Sequence, residues 1–234
     1  MRLAIMLGVV LAADAALACP PPLLTDVPLT ADNTALPAGG GVVMATVNGG
    51  GGRGMRNGGR LVAGKDNVEL TRTYLAPALT VIVPKAQANR AIELIDDSGK
   101  AILHLTQTQV APKHAAPKVA KVHSTAPPVK KGEPPRFEMY GPTTQLTIEL
   151  AEAPPSDVLA LVVFQDGQGV AWSPPQDKQM TYTFWAGGKR CMPGPGTVPQ
   201  RATVTLGYVD RTGRVSVLTQ DITVGATPPP KQAR

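Results

Sequence analysis

Apolar and polar residues alternate with a period of two along most of the chain. The clearest case is Arg201–Val224, where two alternating runs flank Asp210-Arg211-Thr212-Gly213. That pattern predicts a β-hairpin, with Gly213 free to take a positive φ. A shorter echo occupies Ala91–Leu105: aligned on the turn, Ile95-Asp96-Asp97-Ser98-Gly99-Lys100-Ala101 matches Val209-Asp210-Arg211-Thr212-Gly213-Arg214-Val215. Each hairpin precedes a Pro-rich polar stretch, so each is expected to close a β-domain. Further strands are expected at Val42–Val47, Leu61–Val62, Val68–Tyr74 and Leu79–Val83, then at Gln145–Leu150, Val158–Phe164, Val170–Trp172 and Thr181–Trp185. Val158–Phe164 is almost continuously apolar, which suits a buried strand. Behind the N-terminal apolar segment no helical spacing of apolar residues is sustained, and short strands separated by frequent turns predict Greek-key sandwiches.

Composition divides this β pattern into parts. Met1–Ala18 has the form of a signal peptide: Arg2, an apolar run from Leu3 to Ala13, and Ala16-Leu17-Ala18 before Cys19. The run is too short for a membrane span, so no transmembrane segment is expected in the mature chain. Ala111–Pro135 contains six prolines and five lysines and has almost nothing to bury. It is expected to be a semi-extended linker, with the freedom to let two domains move independently. The expected boundaries are a leader at 1–18, a first domain at 19–109, a disordered basic Pro-rich linker at 110–136, a second domain at 137–225 and a disordered tail at 226–234. All three Phe and both Trp follow Arg136, whereas the first half holds only Tyr74. The second core is therefore expected to be the better filled.

The net charge of +6 adds one possibility. Lys113, Lys118, Lys121, Lys130 and Lys131 fall in a segment without a single acid, a candidate contact for polyanions. No aromatic residue alternates with them and no recognition helix is visible, so no specific nucleic-acid partner is expected. Asn48–Arg60 holds seven glycines and three arginines. It lacks the Gly-Lys-Ser/Thr ending and the following helix of a phosphate-binding loop, and reads better as a surface connection.

Cys19 and Cys191 are the two cysteines. An even count in an exported chain favours a Cys19–Cys191 disulfide, worth on the order of 4–5 kcal/mol for so long a loop. The competing reading is a lipoprotein acylated at Cys19, against which stands the order Ala16-Leu17-Ala18.

The closing run Val204-x-Leu206-x-Tyr208-Val209-Asp210-x-x-Gly213-x-Val215-Ser216 resembles the last hairpin of bacterial immunoglobulin-like and fibronectin type III-like domains. The cleaved leader, Cys19-Pro20-Pro21 and Leu36-Pro37-Ala38-Gly39-Gly40-Gly41-Val42 are similar to secreted bacterial immunoglobulin-like proteins of unassigned role. The expected fold class is all-β, with two immunoglobulin-like Greek-key β-sandwich domains joined by the Pro/Lys-rich linker. The antibody-type internal Cys…Trp…Cys is missing. By analogy such folds imply binding or spacing more than catalysis.

A search for chemistry finds little. His114 and His123 fall in the linker, with neither a fixed backbone nor a neighbouring carboxylate expected, and His104 is expected on a strand facing solvent. No nucleophile-elbow serine is present. The Asp96 and Asp210 turns suit capping of their own backbone better than calcium. No catalytic residue, metal ion or cofactor is expected. Trp172, Tyr182 and Trp185 are candidate ligand-binding residues, a stacking platform for sugars if they share one solvent face and core residues otherwise. The reading is a non-enzymatic exported interaction or spacer protein of the bacterial cell envelope, with anionic envelope polymers or an envelope protein as partner. A carbohydrate-binding module and a Cys19-anchored lipoprotein are the alternatives, and a hydrolase with an unseen site ranks last.

Overall fold

The computed structural model describes residues 24–48, 55, 59–85, 91–108, 114–125, 144–186 and 202–224. The leader, both cysteines, Lys113, Lys130, Lys131, the C-terminal tail and most of the glycine-rich connection lie outside the described residues.

Sixteen strands run through these segments, all in the β class the alternation predicts. The first nine are β1 (Leu24–Pro28), β2 (Thr34–Pro37), β3 (Val42–Asn48), β4 (Arg60–Ala63), β5 (Asp66–Asn67), β6 (Leu70–Ala76), β7 (Leu79–Pro84), β8 (Ile92–Ile95) and β9 (Ala101–Thr108). They make two sheets, ordered β1-β3-β7-β6 and β2-β9-β8-β4-β5. All pairings are antiparallel except β2 with β9. Lettered in chain order, these are the A-B-E-D and A′-G-F-C-C′ sheets of an immunoglobulin-type Greek key. Their inner faces share one core that includes Leu36, Met44, Leu61, Ile82, Leu94 and Leu105. Met55, from the glycine-rich connection, is fully buried in that core. Its backbone bridges Asp26 at 2.9 and 3.0 Å, so the connection is pinned at one point and is not wholly a surface excursion.

The remaining strands are β10 (Val119–Thr125), β11 (Thr144–Leu150), β12 (Val158–Gln165), β13 (Gln168–Ser173), β14 (Thr181–Ala186), β15 (Ala202–Asp210) and β16 (Ile222–Val224). They form sheets ordered β10-β11-β14 and β13-β12-β15-β16 around a second core with Tyr182, Phe184, Tyr208, Leu161 and Val163. One boundary needs correction. β10 lies inside the span expected to be a disordered linker, and pairs antiparallel with β11 from Val119↔Leu150 to Thr125↔Gln145. Val119 and Val122 pack against the second core, which anchors the strand despite its Lys- and Ala-rich composition.

A third core joins the two sandwiches. Val43, Ala45, Leu79 and Val81, on the outer face of the β3–β7 pair, pack against Ala160, Val162 and Phe164 of β12, with Trp172 of β13 and Val209 of β15. Both β3 and β12 are apolar on successive residues because each is covered on both sides. The four sheets therefore stack in layers with an apolar core in every gap. Independent movement of two domains, expected from the linker, does not fit this packing: ten buried residues hold the sandwiches face to face.

Candidate functional site

The junction between the sandwiches concentrates the structure's close contacts. At its centre is the turn singled out by the closing hairpin. Asp210, 2% exposed, accepts at Oδ1 from the Thr212 N–H at 2.7 Å and the Thr212 hydroxyl at 2.6 Å. This satisfies the carboxylate locally, so the turn can be buried. Across the junction, the Gly41 N–H donates to the Thr212 carbonyl at 2.7 Å and the Thr30 hydroxyl donates to the Arg211 carbonyl at 3.3 Å. The Arg214 guanidinium donates to the Ala38 carbonyl. Gly213 takes φ +75°, and a Cβ there would meet Val81 Cγ1 at 2.6 Å.

One side of the junction opens into a cleft of about 630 Å³, lined by Thr73–Ala78, Phe164 and the turn Gly167–Gly169. Two edge strands, β6 and β13, meet here. Their registers both shift at this point: between Tyr74 and Ala76 on β6, and where Val163↔Ala171 gives way to Phe164↔Gly169. Bulges of this kind bend an edge and re-aim its side chains. The Trp172 indole N–H donates to the Pro77 carbonyl at 2.9 Å and buttresses the Pro77-Ala78 turn. Ala78 has φ +60°, a left-handed conformation that costs a non-glycine residue about 1 kcal/mol or more. Opposite lies Asp166-Gly167, with φ +49° and +76°, the two-residue turn that joins β12 to β13. Gly169 touches the Leu75 backbone so closely that a Cβ would lie 1.8 Å from the Leu75 carbonyl oxygen. Tyr74, between Thr73 and Leu75 on β6, is 80% exposed and is the one solvent-facing aromatic among the described side chains.

The residues expected to form a sugar platform are not brought together. Trp172 is 8% exposed and belongs to the junction core. Tyr182 is fully buried in the second sandwich, its hydroxyl donating to the Gln179 carbonyl at 3.0 Å, and burial raises its pKa above the usual phenol value. Trp185 pairs with Gln145 along β14, and its side chain lies outside the described residues. Two of the three thus fill different cores, because both sit at inward positions of strands covered by another layer.

Of the lysines, Lys118 and Lys121 are exposed, and Lys118 Nζ lies 3.3 Å from Glu152 Oε1. The histidines differ from expectation in two respects, at His114 and at His123. His104 is exposed on β9 as expected, with Nδ1 3.2 Å from Asp32 Oδ1 and Nε2 3.5 Å from Glu93 Oε1. The Asp32 pKa is lowered, first by the hydrogen bond from the His104 backbone N–H. His114, expected to be unpartnered, is largely buried with Nε2 3.0 Å from Asp157 Oδ2. His123 sits on β10 opposite Thr147. Among the described residues no group of three or more His, Cys, Asp or Glu could hold a metal ion. No helix among them is long and apolar enough to cross a membrane. A second cleft of about 590 Å³ lies between Ala115–Val119 and Leu218–Ile222. Sequence reasoning missed the cleft between β6 and β13, which exists only because two edge strands distant in sequence meet there.

No family model matches the sequence, and no curated protein matches it at a significant level. The solved structure of Clostridium thermocellum CbhA fibronectin(III)-like modules is similar over 86% of this chain and 93% of that chain, at 8% identity and a TM-score of 0.25. At that score the likeness carries no argument about role or about individual residues.

Proposed function

We propose that the protein is a non-enzymatic, exported interaction or spacer module of the bacterial cell envelope, in which two sandwiches act as one rigid body. The observation that carries the proposal is the apolar core between them, where the outer faces of β3 and β12 are sealed by Trp172 and clamped by the Asp210 turn. A spacer needs a fixed end-to-end distance, and a fully buried interface supplies it where a flexible linker would not. Export rests on the leader expected at Met1–Ala18. Lys121, exposed on β10 at the edge of the outermost sheet, and Lys118, exposed just before it beside Glu152, support contact with anionic envelope polymers together with Lys113, Lys130 and Lys131. That contact would weaken as salt rises.

Two measurements test the reading. Small-angle X-ray scattering of the mature protein should give one compact particle whose dimensions do not change with salt. A bimodal or broad distribution of inter-sandwich distances would refute the rigid body. Intact mass from the native host, before and after reduction, should show cleavage after Ala18. A mass raised by acyl chains would replace the soluble module with a Cys19-anchored one, and retention of the leader would refute export.

A further inference from the structure

The chain that enters the second sandwich is fastened to it by more than its own strand. Before β10, residues 114–118 run beside residues 151–157, which connect β11 to β12. Contacts join the two segments at both ends. The Ala151 N–H donates to the Lys118 carbonyl at 2.7 Å, and Lys118 Nζ lies 3.3 Å from Glu152 Oε1. At the other end the His114 side chain, 13% exposed, places Nε2 3.0 Å from Asp157 Oδ2. That nitrogen is buried and makes no aligned hydrogen bond among the described residues. The carboxylate beside it is its compensation for lost hydration.

Asp157 also reaches towards the junction. It follows Pro154 and Pro155, whose fixed φ stiffens the connection, and the Val158 N–H donates to the Pro155 carbonyl at 3.0 Å to close a turn around it. Its own carbonyl accepts from the Arg211 N–H at 2.8 Å. Arg211 belongs to the Asp210 turn, which meets the first sandwich on its far side. There the Arg211 carbonyl accepts from the Thr30 hydroxyl at 3.3 Å and the Thr212 carbonyl from the Gly41 N–H at 2.7 Å. An unbroken series of contacts therefore runs from His114 through Asp157 and Arg211 to the first sandwich. The opposite side of the 114–118 segment is open. It faces the cleft of about 590 Å³ in front of Leu218–Ile222, and among the described residues no backbone hydrogen bond crosses that gap. A segment held by a few contacts can lift without unfolding either core.

We infer that residues 114–118 are a strap with two positions, seated and lifted, and that the junction is held closed only while the strap is seated. His114 is the latch, Asp157 the catch, and the Asp210 turn the part that responds. A partner that draws the strap off Asp157 would loosen the sandwiches from a site outside their interface. The inference rests on the rigid junction of the proposed function and adds a means of releasing it.

Native-state amide exchange of the full chain, read residue by residue by NMR, tests this. In the wild type the Gly41 and Arg211 amides should be protected by the hydrogen bonds they donate. His114→Ala should lower the protection of both about tenfold, while Leu94 and Val162, within β8 and β12, keep theirs. Asp157→Ala retains the backbone carbonyl and should give the same loss, and the double variant should lose no more than either single one. A wild-type Gly41 amide that exchanges freely would mean an open junction, and overturns the strap and the rigid body together. Wild-type protection that neither variant lowers overturns the strap alone. So does a loss shared equally by Leu94 and Val162, which marks general destabilisation, or losses that add in the double variant.

Discussion

Replacing Trp172 with alanine tests the junction most directly. The side chain is 8% exposed, packs against residues of both sandwiches and donates to the Pro77 carbonyl at 2.9 Å. A buried tryptophan removes up to about 250 Å² from water, which at about 25 cal/mol per Å² sets an upper bound near 6 kcal/mol. Truncations of this kind cost about 3–5 kcal/mol once partial collapse is allowed for, and the orphaned Pro77 carbonyl belongs to the same figure. The second sandwich keeps its own core around Tyr182, Leu161 and Val163, so the loss falls on docking before it falls on either sandwich.

Differential scanning calorimetry of Trp172→Ala should therefore show a lowered first transition. If the chain unfolds as one unit, the fall is about 6–20 °C, at roughly 2–4 °C per kcal/mol for a chain of this size. The single wild-type transition should divide as the sandwiches uncouple, and scattering should show a broadened inter-sandwich distance. Trp172→Phe keeps most of the ring but lacks the N–H donor, and should fall between wild type and alanine. An unchanged midpoint together with an unchanged scattering profile for Trp172→Ala would refute a load carried by the junction core.

Other perturbations follow from the same contacts. Gly169→Ala would bring a methyl group to 1.8 Å from the Leu75 carbonyl oxygen, so it should cost several kcal/mol by the same calorimetric measure, whereas Gly64→Ala, where nothing lies within 4 Å, should be limited to the strain of its φ of +66°. Asp210→Ala removes a buried acceptor shared by two Thr212 donors and should destabilise by about 2–3 kcal/mol in urea titrations, much more than Asp96→Ala in the exposed twin turn. Asp96 itself has a lowered pKa, chiefly through the hydrogen bond from the Ser98 hydroxyl. Its stabilising contribution should be complete above the unfolded-state pKa of about 3.9 and fade as pH falls through the lower folded value, which an NMR titration of its carboxyl would follow. At the alkaline end, burial pushes the Tyr208 pKa up to about 12 and raises that of Tyr182. The neutral phenols favour the folded state, so stability should hold below about pH 10 and fall as pH rises towards 12, with the two tyrosines ionising late in absorbance at alkaline pH.

The β class was legible because two-residue alternation needs no tertiary information. The Asp96 and Asp210 turns were legible for a related reason: Asp-x-Ser/Thr-Gly specifies its own hydrogen bonds, and both carboxylates do accept from the residue two positions on. The junction was harder to foresee. Ala160, Val162 and Phe164 are of the same types as the core residues between them, so continuous apolarity in β12 announces two covers without naming the second. Trp172 has no sequence mark that separates a core tryptophan from a ligand platform. Only its register on β13, behind β12, decides it. β10 was hidden by proline and lysine, whose composition outweighs two valines in any local reading, although Val119 and Val122 suffice once β11 offers an edge. The cleft between β6 and β13 depends on bulges and on close backbone contact at Gly169, features that arise only when two distant segments meet.

The twin turns also show, among the described residues, which sheet faces invite a further layer and which do not. Asp210 and Thr212 are buried because their turn meets Gly41, Thr30 and the apolar outer face of the β3–β7 pair. Asp96–Lys100 closes the same local hydrogen bonds and stays exposed. The difference lies in the faces beside them. Beside the Asp96 turn, β8 and β9 present Glu93, His104 and Thr106 outward, with His104 already engaged by Asp32. At the opposite end, Gln145, Thr147 and Thr183 cover the β11–β14 pair, and the Thr147 and Thr183 hydroxyls meet at 3.3 Å. Neither outer face could bury itself against a further sandwich without stranding polar groups. Alternation thus encodes the end of the array as well as its layers: a sheet that is apolar on both sides continues the stack, and a sheet with a polar outer side terminates it.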